Sequence, residues 1–183
     1  MKKKLTLILT FVFVNILFSQ SNDKVNKLAD AAVKSFTWDI ETMEKGTLMF
    51  LDVPYLLENI ETPEFLTLTV AKDKSKERPK FISVIIPNNI VRSNGIFIKF
   101  ANEKMELEKG NPIRLPFENC DDEICTARIM NGFASEENGT NVDLFDKFLH
   151  FNHVLFLFVY PDGSHKSVAI PLFSFKEQYK KLQ

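Results

Sequence analysis

Short segments in which apolar and polar residues alternate recur along most of this chain, and they constrain its fold more than any other feature. In the segment 65–70, Leu66, Leu68 and Val70 alternate with two threonines, which is the period-two pattern of a half-buried strand. Further strands are predicted over residues 47–53, 81–86, 96–100, 112–118, 124–130, 153–160 and 166–172. Short turns rather than helical crossovers join them, which favours antiparallel pairing. We therefore predict a mainly β fold, an antiparallel β-sandwich or a partly open barrel.

A few short helices complete the predicted architecture. Residues 22–36 carry apolar residues at helical spacing, which predicts an N-terminal helix with one apolar face. A second short helix is expected over 142–149, with its N-terminal cap near Asn141. A closing helix is expected near the C-terminus, where Ser174 and Glu177 have the spacing of a capping box.

The N-terminus has the three parts of a secretory signal peptide. Lysines at positions 2–4 precede an apolar run at 5–18, and residues 19–21 are small or polar. The run is shorter than the roughly 20 residues that a membrane-spanning helix needs. We predict a signal peptide over 1–20 and a single extracytoplasmic β-rich domain over 21–183, periplasmic or secreted. The alternative is that the leader is retained as an N-terminal anchor.

The sequence after the leader predicts neither a membrane-spanning segment nor nucleic-acid binding. The most apolar later segment, 154–160, is too short to cross a bilayer and fits a buried strand. The leader holds three of the 23 basic residues and none of the 24 acidic ones, so the remainder carries 20 against 24, or −4. With no block of basic residues, we expect no nucleic acid and no anionic membrane surface among the partners.

The chain has two cysteines, Cys120 and Cys125, and an exported protein meets an oxidising compartment. We therefore predict that they form an intramolecular disulfide. It would close a loop of some six residues and contribute about 2 kcal/mol to stability. A redox-active pair is the alternative, but such pairs usually have two intervening residues and a lowered thiol pKa. The acidic residues that flank these cysteines would raise a thiol pKa instead.

An acidic triplet, Asp121, Asp122 and Glu123, lies between the cysteines. We expect it at the tip of a hairpin formed by the strands 112–118 and 124–130. Clustered carboxylates suit Ca²⁺, but the alternating acids and the glycine of an EF-hand loop are absent. We interpret the triplet as a solvated tip and a possible contact point for a cationic partner.

His150 and His153 are the strongest candidates for catalysis or metal binding, with Asp143 or Asp146 as a further ligand. One histidine would end a helix and the other would begin a strand, so their rings need not converge. A cationic His150 also suits a helix C-terminus. Neither a Gly-x-Ser-x-Gly elbow nor a glycine-rich phosphate loop is present. We predict no catalytic, cofactor or metal site and keep an envelope hydrolase or metalloprotein using His150 and His153 as the alternative.

The region 81–182 carries an ordered series of features. These are Pro87 and Gly95 before the strand at 96–100; Leu115-Pro116-Phe117-Glu118-Asn119-Cys120; Cys125-Thr126-Ala127 after four residues; the short helix at 142–149; the strand from Val154; Pro161-Asp162-Gly163; and Val168-Ala169-Ile170-Pro171 before Phe175. In this order and spacing the chain resembles the invasion-associated locus B family of exported bacterial proteins. Trp38 also looks like the tryptophan that opens the first strand of that family.

The chain departs from this family at several points, and its predicted N-terminal helix and the loop at 131–140 look like additions. The family usually carries a second cysteine pair near its first strand, and Asn152 stands where the family has a glycine. The resemblance implies a periplasmic or secreted β-rich protein that supports surface interaction or host-cell entry, and it implies no reaction. We therefore expect an exported, non-enzymatic binding or structural protein of the cell envelope. Its interaction surface would be a sheet face or edge, or the acidic tip. A chaperone-like factor that offers a sheet edge to partner strands is not distinguished from it.

Overall fold

The computed structural model describes residues 38–55, 63–74, 76–135 and 141–182. The predicted signal peptide at 1–20 and N-terminal helix at 22–36 lie outside these ranges. In the described residues the protein is mainly β, with antiparallel sheets and two short α-helices, so the predicted fold class is confirmed. No helix within these ranges is long and apolar enough to span a bilayer.

The strands form three antiparallel sheets. In chain order they are β1 (Asp39–Met43), β2 (Gly46–Tyr55), β3 (Glu64–Asp73), β4 (Phe81–Pro87), β5 (Ile96–Ala101), β6 (Ile113–Leu115), β7 (Phe117–Cys120), β8 (Ile124–Met130), β9 (Phe133–Ser135), β10 (Asn141–Asp143), β11 (His153–Val159) and β12 (His165–Pro171). The six-stranded sheet has the order β1-β2-β3-β4-β8-β7, the four-stranded sheet has the order β12-β11-β5-β6, and β9 pairs with β10. A 3₁₀ helix, Arg92–Asn94, precedes β5, and the α-helices are α1 (Leu144–His150) and α2 (Phe175–Lys181).

One core lies between the two larger sheets. Leu66, Leu68 and Val70 of β3 are fully buried while the threonines between them are half-buried, as the alternation predicts. Across the sheets, the rings of Tyr55 in β2 and Phe158 in β11 have centroids 5.5 Å apart. Buried residues of both sheets belong to a single hydrophobic cluster. The arrangement is therefore the sandwich alternative of the prediction, with open sheets.

The two helices add aromatic rings to this core. Phe148 of α1 packs on Phe100 of β5 and on Phe175 of α2, with ring centroids 5.4 Å apart in both pairs. Trp38, just before β1, packs edge-on against Phe175 at 5.4 Å. The predicted short helices at 142–149 and near the C-terminus thus exist and pack together against the sheets.

The helix N-termini differ from the prediction in detail. Residues 141–143 form the short strand β10, and Asp143 rather than Asn141 caps α1 by accepting the Asp146 N–H at 2.9 Å. At α2, Ser174 occupies the cap position but its side chain makes no capping hydrogen bond. Its backbone is already helical, with φ −93° and ψ −11°, so the predicted capping box is wrong.

The chain changes sheets at Pro116. The sequence predicts one strand over 112–118, but β6 pairs with β5 in the four-stranded sheet while β7 pairs with β8 in the six-stranded sheet. Proline has no N–H to donate to a ladder, which suits this corner. Gly95 packs against the same corner and has a φ of +67°, and a Cβ at this glycine would clash with the carbonyl oxygen of Leu115. The predicted hairpin therefore holds only for β7 and β8.

Candidate functional site

The two cysteines lie directly opposite each other near the end of the β7–β8 hairpin. Cys120 and Cys125 are register partners with their Cα atoms 4.1 Å apart, and their sulfurs are joined in a disulfide. Cys125 is fully buried and Cys120 is half-buried. The predicted disulfide agrees with this geometry, and it closes the hairpin on which the acidic tip sits.

The acidic tip does not present three equivalent carboxylates. Oδ1 of Asp121 accepts the backbone N–H groups of Glu123 and Ile124, each at 2.8 Å. These hydrogen bonds, together with the nearby charge of Arg92, lower the pKa of Asp121 below its usual value. All three acids are exposed to solvent, and Asp121 in addition shapes the turn through these hydrogen bonds.

The tip is also bonded to the connection between β4 and β5. The Arg92 guanidinium donates to the Asp121 carbonyl oxygen at 3.2 Å and to the Asn88 side-chain oxygen at 2.8 Å. The Asn88 backbone N–H donates to the Glu123 carbonyl oxygen at 2.9 Å. Asn88 and Arg92 precede Asp121 by 33 and 29 residues, so no local sequence pattern reveals the contact. The conformation of the tip is therefore fixed by the disulfide, by the Asp121 carboxylate and by the β4–β5 connection.

The two candidate histidines have separate environments. His150, the last residue of α1, is exposed, and its Nδ1 lies 3.1 Å from Oδ1 of Asp146. His153, the first residue of β11, is only 4% exposed, and its Nδ1 lies 3.1 Å from the Asn102 carbonyl oxygen. Within the described ranges, no group of three or more His, Cys, Asp or Glu side chains is placed to hold a metal ion. The geometry thus brings together no metal-ligand set around this pair.

Asp143, the other carboxylate considered as a ligand, is engaged elsewhere. Partial burial raises its pKa, but the Arg78 guanidinium and the Asp146 N–H outweigh this and lower the pKa of Asp143 overall. Arg78 forms an ion pair with Asp143 and lies 4.4 Å from the ring centroid of Phe133. These contacts tie the β3–β4 connection to the start of α1, so Asp143 stabilises the fold.

The outer edge of the six-stranded sheet is a second candidate surface. All five residues of β1 are exposed, and Ile40 and Met43 expose 42% and 46% of their surface. β1 pairs only with Gly46–Phe50 of β2, so the described residues leave Leu51–Tyr55 uncovered on that side. An edge of this kind offers unpaired backbone N–H and C=O groups to another strand.

A cleft of about 340 Å³ lies beside this edge. It is lined by the β1–β2 turn, the start of β2, the end of β3 and the first residue of β4. Sequence reasoning missed the cleft because its walls are nearly forty residues apart in the chain. Only the strand pairing of β1 to β4 brings them together.

Fold and site together define a mainly β protein of open antiparallel sheets with a disulfide-closed, acid-tipped hairpin. No family model, curated protein or solved structure matches the chain. The resemblance to the invasion-associated locus B family therefore stays a prediction from the order and spacing of residues.

Proposed function

We propose that this chain is an exported, non-enzymatic binding protein of the bacterial cell envelope that accepts a partner strand along β1. The observation that carries the proposal is the full exposure of β1 at the edge of the six-stranded sheet. The sequence features of a signal peptide and the resemblance to a family that supports surface interaction or host-cell entry agree with it.

The composition of β1 suits addition of a strand. Natural edge strands are commonly protected by charged side chains, especially lysine, by proline, by a bulge or by being short. β1 contains neither lysine nor proline, and its only charged residues are Asp39 and Glu41. Ile40 pairs in register with the fully buried Met49, so it lies on the core side of the sheet and remains 42% exposed. A partner strand would cover Ile40 while its backbone extends the ladder.

The outer side of β1 indicates the charge of that partner. Asp39 and Glu41 lie opposite Phe50 and Leu48, on the face that points away from the core. Both carboxylates are exposed. A strand with an apolar residue beside Ile40 and basic residues beside the two acids would complement both faces.

In the test, the purified protein captures partners from an envelope extract. Each captured protein is then purified, and its affinity for the chain is measured. Ile40→Lys places a charge where the partner strand must pack. We expect it to weaken binding tenfold or more, since the apolar contact of the exposed part of Ile40 is lost and the ammonium group must be desolvated without a partner. The matched control is Leu107→Lys, another apolar residue that is 55% exposed but lies away from β1.

Two results would contradict the proposal. One is the absence of any purified partner whose affinity depends on Ile40. The other is binding that survives Ile40→Lys but is lost when Asp122 and Glu123 are both changed to lysine, because the acidic tip would then be the interaction surface. Replacing both cysteines in the same assay shows whether the disulfide matters for binding.

A further inference from the structure

The two cysteines of the disulfide differ in their access to solvent. Cys125 is fully buried, whereas Cys120 is half-buried and lies in β7, the edge strand of the six-stranded sheet. β7 pairs with β8, and this pairing shifts register between Phe117 and Asn119. The outer edge of β7 has no neighbouring strand among the described residues. Because thiol–disulfide exchange depends on access to the attacked sulfur, the fold favours attack at Cys120.

The leaving sulfur opposes this choice without reversing it. Attack at Cys120 expels Cys125 as a thiolate, and a buried thiolate is a poor leaving group because it loses its hydration. Attack at Cys125 would expel the more exposed sulfur, but the attacking group would have to approach a residue that is 0% exposed. Access therefore decides where exchange begins, and the buried leaving group makes it slow.

An acceptor for the released Cys125 thiol is already in place. Sγ of Cys125 lies 3.3 Å from Oδ1 of Asn88. A disulfide sulfur has no hydrogen to donate, but a thiol has one, so reduced Cys125 can donate to Asn88. Oδ1 of Asn88 also accepts from Arg92 at 2.8 Å, and the Asn88 backbone N–H donates to the Glu123 carbonyl oxygen at 2.9 Å. The tip therefore keeps these contacts when the disulfide opens.

Two exposed carboxylates lie close to the sulfurs. Asp122 is two residues from Cys120 and Glu123 is two residues from Cys125, so each pair of Cα atoms is at most about 8 Å apart. Charges at this separation are incompletely screened, because the Debye length is roughly 10 Å at 0.1 M salt and longer at lower ionic strength. An approaching anion is therefore repelled by both side chains.

Two arginines moderate this repulsion. The charge of Arg92 acts on Asp121 and lowers the pKa of that carboxyl group. The Arg114 guanidinium donates to the carbonyl oxygens of Ser93 at 2.6 Å and Asn94 at 2.9 Å, which places a second cation at this end of the sandwich. We therefore expect the acids to change the rate of exchange only a few-fold.

We propose that the disulfide is a reversible exchange site of the folded protein, attacked at Sγ of Cys120 by a partner thiol that carries no other negative charge. The partner thiolate bonds to Sγ of Cys120, the S–S bond breaks, and its electron pair goes to Sγ of Cys125, which takes a proton from solvent. A second partner thiolate attacks the partner's sulfur in this mixed disulfide and releases Cys120, which is protonated in turn. Two partner thiols are oxidised to a disulfide while the protein disulfide is reduced.

This inference goes beyond the proposed function. The partner strand would use β1, and the exchange site lies on β7, at the opposite edge of the same sheet.

The first test locates the attack. The folded, oxidised protein is mixed with 2-mercaptoethanol, quenched with N-ethylmaleimide and digested without reduction, and the adducts are located by mass spectrometry. We expect mercaptoethanol on Cys120 and maleimide on Cys125. The rate should rise in proportion to the thiol concentration, because the attack occurs on the folded protein. The circular dichroism spectrum of the adduct should keep its β signal.

The second test compares thiols that differ only in their terminal group. The attacking thiolates of cysteamine, 2-mercaptoethanol and 2-mercaptoethanesulfonate carry net charges of about 0, −1 and −2, since each thiolate contributes one negative charge. Asp122→Asn with Glu123→Gln should increase the exchange rate least for cysteamine and most for the sulfonate, with a few-fold difference between them at low ionic strength. The ratio of variant to wild-type rate cancels the intrinsic reactivity of each thiol.

The matched control neutralises two exposed acids away from the tip, by Glu103→Gln in the β5–β6 connection and Glu177→Gln in α2. It should leave all three rates unchanged.

Three results would overturn the proposal. The adducts could form on Cys125 as often as on Cys120. The rate could be independent of thiol concentration, which would show that the hairpin must open first. The charge-neutral variant could change the rates of all three thiols equally. Ile40→Lys should leave the exchange rate unchanged, so this proposal and the partner-strand proposal can fail separately.

Discussion

At the residue scale, the three tyrosines of the chain are all buried, and burial raises the pKa of each. The pKa of Tyr160 rises to about 12. The pKa of Tyr55 is raised further, first by its burial, then by the neighbouring Tyr160 and by Glu64, whose carboxylate accepts the Tyr55 hydroxyl at 2.8 Å and opposes a second negative charge. The hydroxyl of Tyr179 donates to the Glu77 carbonyl oxygen at 2.7 Å and its pKa is raised as well. The folded state therefore favours neutral phenols.

These shifts predict a loss of stability in alkali. Above pH of about 10, the usual tyrosine pKa, the unfolded chain releases protons that the folded chain retains, so the free energy of unfolding falls as pH rises through the raised values. An alkaline titration followed by tyrosinate absorbance and by circular dichroism should show tyrosinate appearing together with unfolding. A phenol that ionises near pH 10 while the β signal is intact would contradict this.

Two glycines with positive φ allow the cost of backbone strain to be measured apart from the cost of a steric clash. Gly95 and Gly163 have φ of +67° and +84°, but a Cβ at Gly95 would strike the Leu115 carbonyl oxygen while one at Gly163 would meet open space. Gly163→Ala should cost about 1 kcal/mol from backbone strain alone. Gly95→Ala should cost at least about 2 kcal/mol more, because the corner at Pro116 must also move. Denaturant unfolding of both variants measures the difference, and equal losses would contradict the account of that corner.

At the scale of elements, the disulfide should stabilise the hairpin without being required for the fold. Replacing Cys120 and Cys125 by alanine should lower the free energy of unfolding by about 2 kcal/mol, the value for a loop of some six residues. The Asp121 turn and the bonds from Asn88 and Arg92 remain in that variant. Unfolding curves and a β-rich circular dichroism spectrum check this. Collapse of the fold in the variant would show that the non-covalent contacts of the tip are insufficient.

The helix caps give a second test at this scale. Asp143→Ala removes the hydrogen bond that caps α1 and the ion pair with Arg78, so we expect a loss of about 1 kcal/mol or more. Ser174→Ala is the matched control, because Ser174 makes no capping bond, and its effect should stay within about 0.5 kcal/mol. Thermal unfolding of the two variants compares them directly. A larger loss for Ser174→Ala would restore the capping box that the sequence predicts.

At the scale of the whole molecule, separate sequence signals predicted two short helices, and the alternating segments were sufficient to predict a mainly β fold with antiparallel pairing. They could not predict how strands divide between sheets, because alternation identifies a buried face without identifying the sheet that covers it. The division at Pro116 depends on Gly95 approaching Leu115, some twenty residues away in the chain. The cleft between Met43 and Phe81 likewise depends on register across four strands.

Part of the candidate site was also predictable from local sequence. Two cysteines five positions apart predict a disulfide, and three adjacent acids predict an exposed tip. The different roles of the three acids in the tip were not predictable, since the hydrogen bonds to the Asp121 carboxylate form only once the turn closes. The different surroundings of His150 and His153 were foreseeable, because a helix ends at one and a strand begins at the other.

We propose that the chain is exported and works as an oxidised β-sandwich outside the cytoplasm. The most direct measurement is the intact mass of the protein in periplasmic, secreted and cytosolic fractions of the cells that make it. We predict a periplasmic or secreted species that begins near residue 21 and lacks the two thiol hydrogens of Cys120 and Cys125. A full-length chain in the cytosol with both thiols reduced would contradict the account.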